Sequence, residues 1–242
     1  MKKSGHVMSF GFGALCTAAL AAGLGLGQPG GSDAALDRTS YAIGHDLAVS
    51  TLQRLEIDQV RHDRNSLVRG FRDVMESGSQ AFTEDEIFGA LMVLERQVNE
   101  RHARSRMNTD PVFKALAEEN LRKGRAFAEK FAADDRTRSL PGGVLYRVKG
   151  EGAGDTPRPD SVVHVKFESR LIDGTLVGDF ADYTARVDSM IDGARATLGR
   201  MRVGDVWIVL LPPEAAFGIG GRPPEIGPNQ TILAEVTLLG ID

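Results

Sequence analysis

The segment Val203 to Gly218, VGDVWIVLLPPEAAFG, constrains the fold more than any other. Gly204-Asp205 is a turn signal that releases a strongly β-prone run, Val206 to Leu211. Pro212-Pro213 stops that run, because proline has no N–H to give to a sheet ladder. Ala215-Ala216-Phe217-Gly218 then makes an apolar loop with an aromatic residue at its tip. Gly227 to Gln230 forms a second turn, and Thr231 to Ile241 a second strand. An aromatic loop held between two strands predicts an apolar binding cleft.

The chain has 242 residues and is 42% hydrophobic, enough for a core and for one large or two small domains. Its 29 basic and 33 acidic residues leave a net charge of −4, which gives no reason to expect a nucleic-acid partner. The five histidines (6, 45, 62, 102 and 164) are scattered, with no HExxH and no cysteine cluster, so no metal site is expected. Gly218-Ile219-Gly220-Gly221 lacks the Lys-Ser/Thr and the helix of a phosphate loop, and no GxSxG is present.

Residues 1–27 read as a secretory signal peptide, with a basic start at Lys2-Lys3 and an uncharged run from Val7 to Leu26. The run is long enough to serve instead as an uncleaved membrane anchor. Cys16, the only cysteine, lies inside it. An exported, periplasmic protein is expected.

Residues 28–37 read as a linker, and Arg38 to Leu55 as a helix. Ile57-Asp58 marks a break. Arg64 to Glu76 carries Leu67, Val68, Phe71, Val74 and Met75 at helical spacing and ends at Ser77-Gly78-Ser79. Thr83 and Glu86 make a capping box, and Ile87, Leu91, Leu94 and Val98 form an apolar stripe that needs a partner. Helical composition continues to about Asp135. At Asp110-Pro111 the sequence allows either a kink or two abutting helices.

Pro141-Gly142-Gly143 marks the entry to the second half, and Val144 to Val148 reads as its first strand. Val162 to Leu171 places Val163, Val165 and Phe167 on one face. After Asp173-Gly174 a short strand at Leu176-Val177 gives way to a segment read as irregular up to Ser189. Ala194, Leu198 and Met201 predict a short helix within Ile191 to Met201. The last strand directs Ile232, Ala234, Val236 and Leu238 to one side. The fold class is α+β: an all-α N-terminal module (residues 38–136) joined by a long helix to an antiparallel-sheet domain with one short crossing helix (residues 137–242).

Asp173-Gly174-Thr175, Gly204-Asp205, Leu211-Pro212-Pro213-Glu214, Ala216-Phe217-Gly218 and Pro228-Asn229-Gln230-Thr231-Ile232, in this order, resemble the FKBP-type peptidyl-prolyl isomerases. Ser40-Tyr41-Ala42-Ile43-Gly44, Ile57-Asp58 and Arg69-Gly70-Phe71 before a long charged helix resemble the dimerisation module of the macrophage infectivity potentiator-like members. The resemblance implies a homodimer through residues 38–100, unfolded or proline-containing polypeptides as clients, and no cofactor.

It also implies a pocket. Ile191 matches the isoleucine whose backbone N–H binds the substrate carbonyl, and Met190 a neighbouring valine or isoleucine. Phe217 matches the flexible-loop tyrosine without its hydroxyl, Phe167 matches another pocket tyrosine, and Ile226 falls on the rim. Val177-Gly178 stands where the family has Phe-Asp, Ala194 where it has the floor tryptophan, and Ala234 where it has a wall phenylalanine. The expected activity is prolyl isomerisation assisting exported proteins, weakened by those losses. The alternative is a non-enzymatic chaperone on the same fold.

Overall fold

The computed structural model describes residues 33–76 and 80–242. The proposed signal segment, Cys16 and Ser77 to Ser79 lie outside the described residues. The chain falls into two compact units that meet at Arg61/His62.

The first unit contains α1 (Asp33–Ile57). The helix begins inside the stretch read as a linker, which is corrected for residues 33–37. The Gly/Pro composition that suggested a linker ends at Gly31, and Asp33 to Asp37 contains no helix breaker. Tyr41, Ile43, Leu47, Val49 and Leu52 are exposed along α1.

The second unit opens with α2 (Arg64–Met75), capped by Asp63, whose carboxylate accepts from the Ser66 N–H at 2.7 Å. Phe71, Val74 and Met75 remain exposed on it. In α3 (Glu84–Thr109) the expected capping box is complete: Thr83 accepts from the Glu86 N–H, and Glu86 accepts from the Thr83 N–H. Asp110-Pro111 resolves as two abutting helices. Asp110 ends α3 and caps α4 (Pro111–Ala132), accepting from the Phe113 N–H at 2.9 Å, with Pro111 at the first helical position.

Six strands form one antiparallel sheet: β1 (Arg138–Ser139), β2 (Leu145–Gly150), β3 (Val162–Leu171), β4 (Leu176–Arg186), β5 (Val206–Leu211) and β6 (Ile232–Ile241), in the order β1-β2-β5-β6-β3-β4. Two expectations are corrected. The two-residue β1 precedes the strand read as first. The segment after Val177 continues as an eleven-residue strand, because β4 pairs with β3 along its length and its Phe180 and Tyr183 rings meet Phe167.

Cross-strand partners share a face, so the register fixes the core. Val163, Val165, Leu171, Trp207, Val209, Leu211, Ile232 and Leu238 are buried together on one side. Helix α5 (Asp192–Leu198) crosses that side and contributes Leu198. It can lie so close only because residue 193 is glycine. A Cβ there would stand 2.6 Å from Leu211 Cδ2 and 2.8 Å from the Ala215 carbonyl oxygen.

The other side of the sheet is met by α4. A Cβ on Gly124 would run into Thr231 Oγ1, and the recess beside it is lined by Leu121, Leu210 and Pro213. Asn120 donates to the Pro228 carbonyl at 2.8 Å, and Asn229 donates back to the Ala117 carbonyl at 3.2 Å. These two bonds tie α4 to the turn before β6.

Candidate functional site

Two loops frame the site. The first leads from β4 through a 3-10 turn, Val187–Ser189, into α5. Val187 is fixed by its N–H to the Ser161 carbonyl at 3.0 Å. Met190 and Ile191 follow in extended conformation, Ile191 at φ −61° and ψ 154°. Ile191 caps α5 without a side-chain bond, and its own N–H makes no hydrogen bond among the described residues. A backbone donor is thus free at the head of the crossing helix.

The second loop follows β5. Pro212-Pro213 ends the strand and starts a 3-10 turn, Pro213–Ala215. Ala215 and Ala216 are buried in the core. Phe217 comes next, before a second 3-10 turn, Gly218–Gly220. The Gly221 N–H donates to the Phe217 carbonyl at 3.1 Å and the Asn229 N–H to the Gly218 carbonyl at 3.0 Å. Arg222 and Ile226 exchange backbone bonds at 2.8 and 3.0 Å, which folds the rest of the loop back and buries Ile226.

Six of the nine sequence-derived residues come together around one apolar cluster. Phe167, Val177, Met190, Ile191 and Phe217 pack against it half-buried, and Ile226 is part of it. Ala234 is buried on the same face of the sheet, between its partners Val209 and Ser169. Ala194 is half-buried on α5, beside Gly193, and the cluster includes neither it nor Gly178 nor Ala234.

The register shows what the missing rings leave. Gly178, Ser169 and Ala234 form one continuous cross-strand row. The adjacent row on the same face carries Phe180, Phe167, Val236 and Trp207. A furrow of small side chains therefore runs beside an aromatic bank. Residue 178 is not small of necessity. A Cβ there would meet Phe167 at 3.4 Å and Phe180 at 3.7 Å, ordinary contacts.

Sequence reasoning missed Phe180 and Tyr183. Their rings form a triad with Phe167, at centroid separations of 4.9 Å (Phe167–Phe180), 5.6 Å (Phe167–Tyr183) and 5.7 Å (Phe180–Tyr183). Two of the three contacts are edge-on, the geometry aromatic quadrupoles favour. The signal was present as an aromatic pair three residues apart, hidden by Asp179 and Asp182 around it. Trp207 stacks on Tyr146 at 4.2 Å inside the core.

Among the described residues of the site there is no acid–base pair poised for proton transfer. What it offers is apolar surface, aromatic rings and a free backbone donor at Ile191. Those are the means by which an amide can be twisted without being broken.

A sheet crossed by one short helix, with an aromatic loop beside that helix, is the architecture of an FKBP-type domain, and this chain belongs to the FKBP-type peptidyl-prolyl cis-trans isomerase family. Residues 154–239 match the family model for the FKBP-type isomerase, and residues 36–148 match the model for the domain amino terminal to it. The FKBP-type 22 kDa isomerase of Escherichia coli is 31% identical over 182 residues, 73% of this chain and 82% of that protein. FkpA of the same organism is 29% identical over 213 residues, covering 84% and 75%. The isomerase Mip of Coxiella burnetii is 27% identical over 209 residues, covering 85% and 86%. The crystal structure of Escherichia coli FkpA superimposes with a TM-score of 0.52 at 27% identity, over 85% of this chain and 95% of that one. Among the described residues no helix is long and apolar enough to cross a membrane.

Proposed function

We propose that this protein accelerates prolyl isomerisation in exported polypeptides, slowly for its family, through the recess between Ile191 and Phe217. The observation that carries this is the free N–H of Ile191, a residue that packs against the same apolar cluster as Phe167, Val177 and Phe217.

The barrier to rotating an X-Pro bond is about 18–20 kcal/mol, because rotation breaks amide resonance. Lowering it needs no proton transfer. The proline ring settles against the aromatic bank, away from water, where the planar amide loses its hydration. The Ile191 N–H donates to the substrate carbonyl and holds it as the bond turns. The twisted amide, whose nitrogen has regained its lone pair, is less dependent on water than the planar form, so the dry recess favours it.

The furrow at Gly178, Ser169 and Ala234 lowers the rate. Fewer side-chain atoms grip the ring there, so less binding energy is directed at the twisted state. Every ~1.4 kcal/mol of that energy lost slows turnover about tenfold.

Residues 137–242 form the isomerase domain, and residues 38–136 carry the pairing module through which two copies join. The signal at residues 1–27 exports the chain to the periplasm, and its clients are unfolded, proline-containing polypeptides there. A protease-coupled assay on proline tetrapeptides tests the catalytic reading. A rate above the buffer blank and below that of a ring-lined relative is expected; a rate equal to the blank overturns it.

A second reading is supported by the small residues at positions 178, 194 and 234: client binding without turnover. Suppression of client aggregation that is unchanged in a Phe217→Ala, Ile191→Ala variant would favour it.

A further inference from the structure

One helix touches both loops of the site. At the N-terminal end of α3, Gly89 is buried against Ser189, directly before Met190 and Ile191; a Cβ on residue 89 would lie 3.1 Å from the Ser189 Cβ. Farther along, the α3 backbone rests on the loop that follows Phe217. A Cβ on Gly220 would lie 2.8 Å from the Glu100 nitrogen and 2.9 Å from the Asn99 carbonyl carbon. At 1.5 Å per residue the two contacts are about 15 Å apart along the helix. The helix therefore bridges the gap between the loop bearing Ile191 and the loop bearing Phe217.

The face it presents is sparse. Gly89, Met92, Arg96, Asn99 and Ala103, spaced 3, 4, 3 and 4, form one buried or half-buried line, and Leu94, Val98 and Met107 are half-buried as well. The apolar stripe read from the sequence is covered only in its second half, where Leu94 and Val98 are half-buried. Ile87 and Leu91 of that stripe stay exposed, at 39% and 46%. Ala103 is the one apolar side chain of α3 that is fully buried among the described residues, so the helix is seated with little hydrophobic burial. A seat with few buried apolar contacts opens at low local cost.

We propose that α3 is a strap over the client recess: seated as described it blocks the mouth between Ser189 and Gly220, and a client enters only when it lifts. The proposal rests on the recess being the client site, as inferred above. Asp110 gives the strap its joint, since α3 ends there and α4 stays fixed to the sheet by Asn120 and Asn229. Because clients bind only the lifted state, apparent affinity falls by the fraction of molecules in that state.

The test is a disulfide lock. In a Cys16→Ser background of the full chain, Gly89→Cys and Ser189→Cys place two Cβ atoms a few tenths of an ångström from the roughly 3.5–4.5 Å of a disulfide. Oxidation is followed by thiol titration, which reads the seating of the strap without reference to activity. Binding of a fluorescent proline-containing peptide and tetrapeptide turnover are then compared before and after reduction. The expected result is that the disulfide forms, that the oxidised protein loses about tenfold or more in peptide binding and in kcat/KM, and that reduction restores both. Failure of the disulfide to form overturns the seated strap; a formed disulfide with unchanged peptide binding overturns the blockade. If the reduced protein binds peptide and has no turnover, the catalytic reading fails and the binding comparison still decides the strap. A Gly89→Leu variant, too bulky to seat against Ser189, is expected to raise binding severalfold, and an unchanged value counts against the proposal.

Discussion

At the scale of single residues, Ile191 permits an unusually clean experiment. Its φ of −61° is already that of proline, and Met190 before it has ψ 167°, the extended region a proline requires of its predecessor. Ile191→Pro therefore deletes the free N–H while the backbone stays in place. We expect kcat/KM on tetrapeptides to fall by about 10²-fold, the effect of losing one backbone-type donor to a displaced oxygen. Ile191→Val, which keeps the N–H, should lose far less. A proline variant as active as the valine variant would remove the donor from the mechanism. His164 is a second residue with a measurable role. Its Nε2 lies 3.1 Å from Asp242 Oδ2 and its Nδ1 3.4 Å from Asp182 Oδ1. The hydrogen bond to Asp242 and then that to Asp182 raise its pKa above 6.5. The folded chain thus holds the proton more tightly than the unfolded one, so this stabilisation is complete below about pH 6.5 and fades as pH rises through the folded value. The gap in Tm between the parent and His164→Asn should be wider near pH 6 than near pH 9; a gap independent of pH would contradict the pairing.

At the scale of elements, local rules carried most helix ends but missed the start of α1, the two-residue β1 and most of β4. Thr83 and Glu86 announced the start of α3 because capping is chemistry between residues three apart, whereas Asp110-Pro111 allowed a kink or two helices until the structure resolved it. The strand β4 was not legible. Gly178, Asp179 and Asp182 are poor strand formers, and what makes them a strand is the length of β3 beside them and the Phe167 ring across from Phe180 and Tyr183. The positions of Ile191 and Phe217 could be read from the resemblance, whereas the furrow through Gly178, Ser169 and Ala234 required the register. Helix α5 offers the sharpest test of packing. Gly193→Ala forces a Cβ against Leu211 and the Ala215 carbonyl, so α5 must shift off the sheet. We expect a loss of about 1–3 kcal/mol in urea unfolding, the usual cost of overpacking, with turnover reduced as well because Ile191 rides on that helix. Unchanged stability would mean that the helix seats less closely than described.

At the scale of the whole molecule, the unpaired apolar surface of residues 38–100 is the dominant fact. Phe71 and Val74 on α2 are 54% and 71% exposed, and Tyr41 on α1 is 75% exposed. Exposed apolar surface of this kind is what the proposed pairing of two copies would cover. We expect sedimentation velocity to give twice the mass of one chain, and Phe71→Asp with Val74→Asp to give a single-chain mass with the isomerase domain still folded. A parent protein sedimenting as a single chain would refute the pairing. The furrow carries a different kind of consequence. An inhibitor bearing a bulky substituent aimed at residues 178 and 234 would find room in this protein and collide with rings in sites that have them at those positions, so selectivity could be built into a small molecule from the shape of that one row.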